Sequence, residues 1–79
     1  MAESVPAKAW PRKTEAISAR IVPWDGAIGV GYVLPEGKQT AHPIKPDDWP
    51  IIARLEREGQ LTYSSDAVRE RAERERPPT

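Results

Sequence analysis

The chain lacks cysteine and phenylalanine altogether and has a single histidine among its 79 residues. Without cysteine it can form neither a disulfide nor a thiolate metal site, and one histidine alone cannot complete a zinc site. A domain of this length buries a modest fraction of its surface and is marginally stable unless something reinforces it. We therefore expect association, with copies of itself or with a larger partner, to supply stability.

Net charge is also lacking, because twelve basic residues balance twelve acidic ones. A dedicated nucleic-acid binder usually carries a basic excess that neutralises phosphates. No apolar run approaches the length that spans a bilayer, and the N-terminus has no signal-peptide core. The composition thus disfavours nucleic acid and membranes as partners, and the lack of cysteine is compatible with a reducing cytoplasm.

Residues 1–15 have the character of an extended N-terminal arm, because two prolines interrupt them and no hydrophobic periodicity appears. Trp10 is a large aromatic in this otherwise polar segment, and Arg12 and Lys13 add positive charge. We expect these three side chains to contact a partner. The alternative is that Trp10 folds back onto its own domain.

Two stretches, 17–21 and 28–34, alternate large apolar residues with polar or small ones at the period of a strand. Asp25-Gly26 between them is a strong turn signal. A third extended stretch, 39–44, contains a proline that confines it to a sheet edge or to irregular structure. The sequence predicts a small antiparallel sheet of two or three strands.

One short helix is predicted to pack on this sheet. Asp47-Asp48-Trp49-Pro50 is a typical helix start, with aspartate at the cap and proline in the first turn. An apolar stripe follows at helical spacing, and Gly59 suits a left-handed stop. The stripe consists of Ile51, Ile52 and Leu55. Residues 61–63 can then return as a short strand.

The last segment, 64–79, is predicted to be a charged C-terminal helix or tail. It has few apolar residues to bury, so we expect it to be solvated or ordered by a partner rather than to join the core. Arg69, Arg71 and Arg74 are its candidate contact residues. The whole chain is therefore predicted to be α+β, with a compact domain over 16–63 between the arm and this tail.

Gly29 and Gly31 invite comparison with phosphate-binding loops. Such loops place the glycines between a strand and a helix N-terminus, whereas here a strand pattern runs through both, and no lysine-serine pair follows. Small residues on one strand face more often allow close approach of another backbone or an aromatic ring. We therefore treat Gly29 and Gly31 as partner-contact candidates and expect no cofactor.

The residues that could carry chemistry have simpler structural interpretations. Asp47 and Asp48 could serve as paired carboxylates or metal ligands, but a helix cap explains them better. His42 has no nucleophile pattern around it, so we expect it at the surface or on an edge strand. Trp24, Trp49 and Tyr32 could form a stacking platform for single-stranded nucleic acid, although aromatics this scarce more often form the core. In that alternative the cations that follow the phosphates would be Arg12, Lys13 and Arg20. We expect no catalytic site and no metal.

Residues 33–63 carry a series of motifs in a fixed order: a Leu-Pro and a glycine, an extended stretch, a tryptophan opening a short helix, and a closing glycine. The motifs are Val33-Leu34-Pro35-Glu36-Gly37, Asp48-Trp49-Pro50, Arg54-Leu55 and Glu58-Gly59-Gln60-Leu61. This pattern resembles a family of small proteins encoded among the tail genes of Mu-like phages. The resemblance implies a non-catalytic virion or tail-assembly role, in the virion or the host cytoplasm, through contacts with other virion proteins or copies of itself.

Two other functions compete with this one. The first is a small nucleic-acid-binding regulator that uses the basic arm and the 48–58 helix, although the neutral charge counts against it. The second is a phage-encoded inhibitor of a host enzyme, which sequence cannot separate from an assembly protein.

Overall fold

The computed structural model describes residues 11–78, which form a four-stranded mixed sheet and two α-helices. The strands are β1 Ser18–Trp24, β2 Ala27–Val33, β3 Gln39–Pro43 and β4 Leu61–Tyr63, and the helices are α1 Trp49–Arg57 and α2 Asp66–Glu75. The sheet order is β3-β2-β1-β4, with β4 parallel to β1 and the other pairs antiparallel. The predicted α+β class is confirmed, whereas the prediction of a purely antiparallel sheet of two or three strands is wrong.

The parallel strand exists because α1 serves as a crossover connection. After α1 the chain reverses at Gly59, whose φ of 75° is a left-handed conformation that glycine adopts without strain. It then runs back beside β1, with Ala19 opposite Leu61. Parallel neighbours need such a crossover, which depends on contacts far apart in sequence. A three-residue strand carries too little pattern to reveal its partner or direction.

The hairpin between β1 and β2 follows the local sequence. Asp25 and Gly26 both have positive φ, at 48° and 79°, as in the two-residue turns whose twist matches that of paired strands. Trp24 pairs with Ala27 on either side of the turn. The predicted Asp-Gly turn is thus confirmed.

Both helices pack on one face of the sheet, where they enclose the core. The strands contribute alternate residues to it, and α1 contributes its predicted stripe. The core residues of these elements are Ala19, Ile21, Ile28, Val30, Tyr32, Ile51, Ile52 and Leu55. Ile51, Ile52 and Leu55 are all buried, which confirms the predicted phase of α1.

The expectation that the C-terminal segment stays out of the core is wrong for α2. Val68 and Ala72 lie in the core cluster, with exposed fractions of 8% and 2%. They are four residues apart and therefore share one helix face. Ser65 caps the helix by accepting a hydrogen bond from the Val68 N–H at 3.2 Å. Because both core side chains are small, the helix can lie close to the sheet despite its few apolar residues.

Candidate functional site

The sheet has a second face, which neither helix covers. The residues of this face alternate with those of the core, and strand pairing places them in rows across the sheet. We call it the open face; it comprises Ser18, Arg20, Val22, Trp24, Ala27, Gly29, Gly31, Val33, Gln39, Ala41, Pro43 and Thr62. All of these except Gly29 are exposed or half-buried.

Gly29 is buried beneath the chain's own tryptophan. A Cβ atom at this position would lie 2.7 Å from Cε3 of Trp24 and 3.0 Å from the carbonyl oxygen of His42. Glycine therefore lets the Trp24 ring rest on the strand backbone, as an aromatic can do over a glycine in a sheet. The prediction that a small residue here permits close approach of a ring is confirmed, but the ring belongs to the same domain. Gly29 is thus already covered.

Gly31 is open by contrast. A Cβ there would be 3.9 Å from the nearest side chain, that of Ala41 on the neighbouring strand. Arg20, Gly31 and Ala41 lie in one row across three strands. Because two of these three residues are small or bare, the row forms the floor of a depression.

This depression is a shallow groove with a volume of about 440 Å³. Its walls come from Arg20 and Val22 on β1, Val33 on β2, and Gln39 and Ala41 on β3. The groove is lined mainly by apolar atoms around one long cationic side chain. Such a surface resembles an interface core, in which arginine is common and other charges are depleted.

Arg20 is the only charged residue of the open face. It is exposed, and its side chain makes no hydrogen bond or ion pair with any residue in the described range 11–78. Its neighbours in the row, Gly31 and Thr62, carry no charge. Within residues 11–78, therefore, nothing compensates the one positive charge of the open face.

A second cluster of polar side chains lies at the border of the core, around the fully buried carboxylate of Asp48. Tyr32 Oη donates to it at 2.6 Å, Lys13 Nζ at 3.0 Å and the Lys45 backbone N–H at 2.7 Å. His42 Nε2 lies 3.2 and 3.1 Å from its two oxygens, so this nitrogen is the donor. We call these residues the Asp48 cluster.

The protonation of the cluster follows from its contacts. Burial raises the pKa of the Asp48 carboxyl, but the hydrogen bonds from Tyr32, the Lys45 N–H, Lys13 and His42 outweigh it and hold that pKa below its ordinary value. Burial and the adjacent carboxylate raise the pKa of the Tyr32 hydroxyl. Asp48 is thus ionised, and it accepts a hydrogen bond from the neutral Tyr32 hydroxyl.

Asp48 stands at the N-cap position of α1, but its side chain makes no cap hydrogen bond to that helix. It accepts instead from the Lys45 N–H, in a capping box on the short 3-10 turn Pro46–Asp48 that leads into α1. The prediction of a capping aspartate is thus confirmed for this turn and wrong for α1 itself. The carboxylate joins the segment at Lys13, β2, β3 and the turn before α1. His42 does lie on an edge strand as predicted, half-buried, but the sequence spacing offered no sign of its partner. Only the folded chain brings these residues together.

The predicted contact residues do not form one surface. Trp10 lies outside the described residues, Arg12 is exposed, and Lys13 pairs with Asp47 and Asp48 at 3.0 Å each. On α2, Arg69 pairs with Asp66 and Arg71 with Glu75, while Arg74 is exposed. Only Gly29 and Gly31 share a face, and of the two only Gly31 is accessible. Arg20, which lies beside it, was predicted only as a phosphate contact in the nucleic-acid alternative.

The three aromatics considered as a stacking platform also lie apart. Tyr32 is buried at 1% exposure and belongs to the helix-covered face, whereas Trp24 lies on the open face. Trp49 packs half-buried against the core from α1. With the rings on different sides of the sheet, they cannot stack on successive bases of one strand.

A smaller depression of about 330 Å³ lies in the helical layer. It is lined by Pro46, Trp49, Pro50, Ala53, Arg76 and Pro77. Arg76 already donates to Glu56 at 2.9 Å across this end of the domain. The chain's own C-terminal residues thus form one wall of the depression.

Within residues 11–78, no group of three or more His, Cys, Asp or Glu side chains is placed to hold a metal ion. In the same range no helix combines the length and apolar character that crossing a membrane requires. Comparisons with protein-family models, with curated proteins and with solved structures give no match.

Proposed function

We propose that this chain is a non-catalytic binding protein that makes protein–protein contacts through the open face of its sheet. The observation that carries the proposal is the groove around Gly31, which is mostly apolar and accessible. One of its walls is Arg20, whose side chain has no partner within residues 11–78. A small domain without disulfides gains stability when such a surface is covered. Burial of apolar area is the main favourable term in protein association.

The Asp48 cluster supports a structural role better than a catalytic one. A general acid or base must reach a substrate proton, yet Asp48 has no exposed surface and accepts from four donors. Its hydrogen bonds tie Lys13, β2 and β3 to the turn before α1.

We propose a phage virion or tail-assembly role as the biological setting. The support is the resemblance of residues 33–63 to the small tail-gene proteins of Mu-like phages, together with the binding character of the open face. In this setting the partners are other virion proteins, or copies of the same chain, in the virion or the host cytoplasm. An inhibitor of a host enzyme would use the same kind of surface and differs only in the identity of its partner.

A nucleic-acid-binding regulator is the less favoured alternative. Of the basic residues that it would use, Lys13 is paired with two aspartates, and Arg54 on α1 donates to the Ala16 carbonyl at 2.8 Å. Side chains committed in this way contribute less to phosphate binding. Displacing them would also disrupt contacts within the domain.

Site-specific photocrosslinking tests the proposed function. A photoreactive benzoylphenylalanine is introduced at Ala41 on the open face, and in a matched control at Glu70 on the exposed side of α2. Cells that express the gene from its natural context are irradiated, and adducts are identified by mass spectrometry. We expect a discrete protein adduct from position 41 and none from position 70.

The same adduct should be present in purified phage particles if the setting is a virion. Adducts only from position 70 would place binding on the helical layer, and nucleic acid in the position 41 adduct would favour the regulator. A host enzyme as the adduct would favour the inhibitor. No adduct from either position would contradict a binding role for these faces.

A further inference from the structure

We propose that the occupant of the open face is a protein segment that presents an aspartate or glutamate, flanked by small apolar residues, to Arg20. This inference deepens the proposed function and rests on it. It names the chemistry of the partner, which neither the fold nor the sequence pattern assigns. Three observations support it: the shape of the groove, its charge, and the position of Arg20, which disfavours a symmetric contact between two copies.

The shape of the groove favours close approach by a backbone. Gly31 has no side chain, and Ala41 beside it has only a methyl group, so a partner segment can lie low across β2 and β3. Val22 and Val33 border the same depression. Where the backbone of the partner lies this low, only small apolar side chains fit between it and the floor, and they bury the apolar atoms of the groove.

The charge of the groove requires an anion from the partner. Arg20 has no counter-charge within the described range 11–78, and covering the groove would remove water from its guanidinium. An ion buried without a partner is costly, so the occupant has to supply the missing charge. A carboxylate suits the need, because the planar guanidinium can donate two parallel hydrogen bonds to it.

A second copy of the chain does not meet this requirement. In a two-fold symmetric contact each copy uses the same patch. Arg20 lies on an interior strand, in one of the two inner rows of the open face, so packing two such faces centrally would bring the two Arg20 side chains near each other. Like charges in an interface are strongly unfavourable. The geometry therefore points to a different protein.

Nucleic acid and anionic lipid fit less well than a protein carboxylate. Binding to phosphates relies on several cations that neutralise several charges. The open face has one cation among uncharged residues, and its groove is mostly apolar. One carboxylate within an apolar segment matches this ratio of charge to apolar surface.

The test uses the full chain and a display library of random heptapeptides as the probe. Peptides selected on the parent protein are sequenced, synthesised and titrated by fluorescence anisotropy. Three variants are compared. Arg20→Glu reverses the charge in the groove, and the matched control Arg57→Glu reverses a charge on the exposed side of α1. The third, Ala41→Trp, fills the groove without changing the charge. Circular dichroism and thermal melting confirm that each variant is folded before it is titrated.

We expect the selected peptides to share an acidic residue flanked by small apolar ones. Arg20→Glu should raise their Kd by about thirtyfold or more, as expected for losing a desolvated charge pair. Arg57→Glu should leave Kd within about twofold. A peptide with its acidic residue changed to lysine should bind Arg20→Glu and not the parent.

Other outcomes would overturn the inference in distinguishable ways. One such outcome is that the selected peptides lack an acidic residue, or bind Arg20→Glu as tightly as the parent. If such peptides still lose binding to Ala41→Trp, the proposed function stays intact and only the carboxylate is refuted. Peptides that bind Ala41→Trp as tightly as the parent would refute both.

A library that yields no binder would refute the inference, and the crosslinks from position 41 would then decide the proposed function separately. Binding of a poly-deoxythymidine oligonucleotide that Arg20→Glu abolishes would replace the protein partner with nucleic acid. A dimer in sedimentation velocity that Ala41→Trp dissociates would replace it with a second copy.

Discussion

The two faces of the sheet are built from the same strands yet differ in what covers them. On the helix-covered face, apolar residues are buried and the charged Asp48 accepts hydrogen bonds from four donors, although the Tyr63 hydroxyl is buried without a partner within residues 11–78. On the open face, the Arg20 side chain has no partner within residues 11–78, and the valines are only half-buried. The covered face holds the core, and the open face is the one that we propose for binding. Substitutions should therefore divide into those that change stability and those that change binding.

The largest effect is expected from Asp48→Asn. The asparagine keeps the size of the side chain but removes the charge, leaving Lys13 and His42 with a poorer acceptor and adding an amide donor that faces other donors. Breaking a buried pair by altering one partner costs about 3–5 kcal/mol. Urea denaturation measures the loss in the free energy of unfolding.

Asp47→Asn is the matched control for this substitution. Its carboxylate also contacts Lys13 at 3.0 Å, but the side chain is 68% exposed. An exposed pair contributes about 1 kcal/mol or less. Equal losses in the two variants would show that the buried cluster is no more important than a surface ion pair, and the contrast between the faces would weaken.

Because the Asp48 carboxylate is ionised in the folded protein, we also expect the free energy of unfolding to fall in acid. The part of this fall that comes from Asp48 should not exceed the loss caused by Asp48→Asn. The pKa of Asp48 is lowered in the folded protein, so its contribution is fully present above the unfolded pKa, about 4, and is lost as pH falls through the folded pKa. The free energy of unfolding, measured from pH 7 down to pH 2, should fall less steeply in Asp48→Asn than in the parent. Parallel pH curves would argue that other carboxylates govern acid unfolding.

Leu55→Ala should cost about 2–5 kcal/mol, because Leu55 is fully buried between α1 and the sheet and its removal leaves a cavity. A loss of this size is a large fraction of the stability of a small domain. Thermal melting followed by circular dichroism measures it, with the exposed neighbour Arg57→Ala as control. A melting temperature within about a degree of the parent would place Leu55 outside the core.

Gly29→Ala and Gly31→Ala compare a covered and an open position on the same strand. The methyl group at position 29 collides with Trp24 and a backbone oxygen, so we expect a loss of about 1–3 kcal/mol. At position 31 the methyl has ordinary contacts, and the change should stay within about 0.5 kcal/mol. Chemical denaturation of both variants checks the difference.

Trp24→Ala combined with Gly29→Ala tests the cause of the first effect. If the ring is responsible, the double variant should lose less stability than the sum of the single ones, since residues in contact are coupled. Additive losses would assign the strain to the two contacts that remain in the Trp24→Ala background, with the His42 carbonyl and with the Cβ atom of residue 24.

The smallest effect on stability is expected from Arg20→Ala. Arg20 is exposed and has no partner within residues 11–78, so its removal should change the free energy of unfolding by about 0.5 kcal/mol or less. Urea denaturation of this variant against the parent provides the measurement. A loss above about 1 kcal/mol would show that Arg20 belongs to the stabilising part of the molecule, and the two faces would no longer divide as described.

Much of the fold was predictable because its signals are local. The strand alternation of β1 and β2, the Asp25-Gly26 turn, and the proline and apolar stripe of α1 each depend on residues within one or two turns of chain. The glycines of the open face were also recognised from the alternation pattern. Such signals act through backbone conformation and side-chain spacing, which the sequence displays directly.

The amino-acid sequence alone therefore identifies the class of the protein, which is a small α+β domain with no disulfide and balanced charge. Tertiary structure alone decided that β4 pairs parallel with β1, that α2 joins the core, and that Asp48 collects donors from three distant segments. It also decided that Trp24 closes Gly29 while Gly31 stays open beside Arg20. These outcomes depend on which surfaces meet when the chain closes on itself, and no local pattern records the partner of a buried charge or a bare strand face.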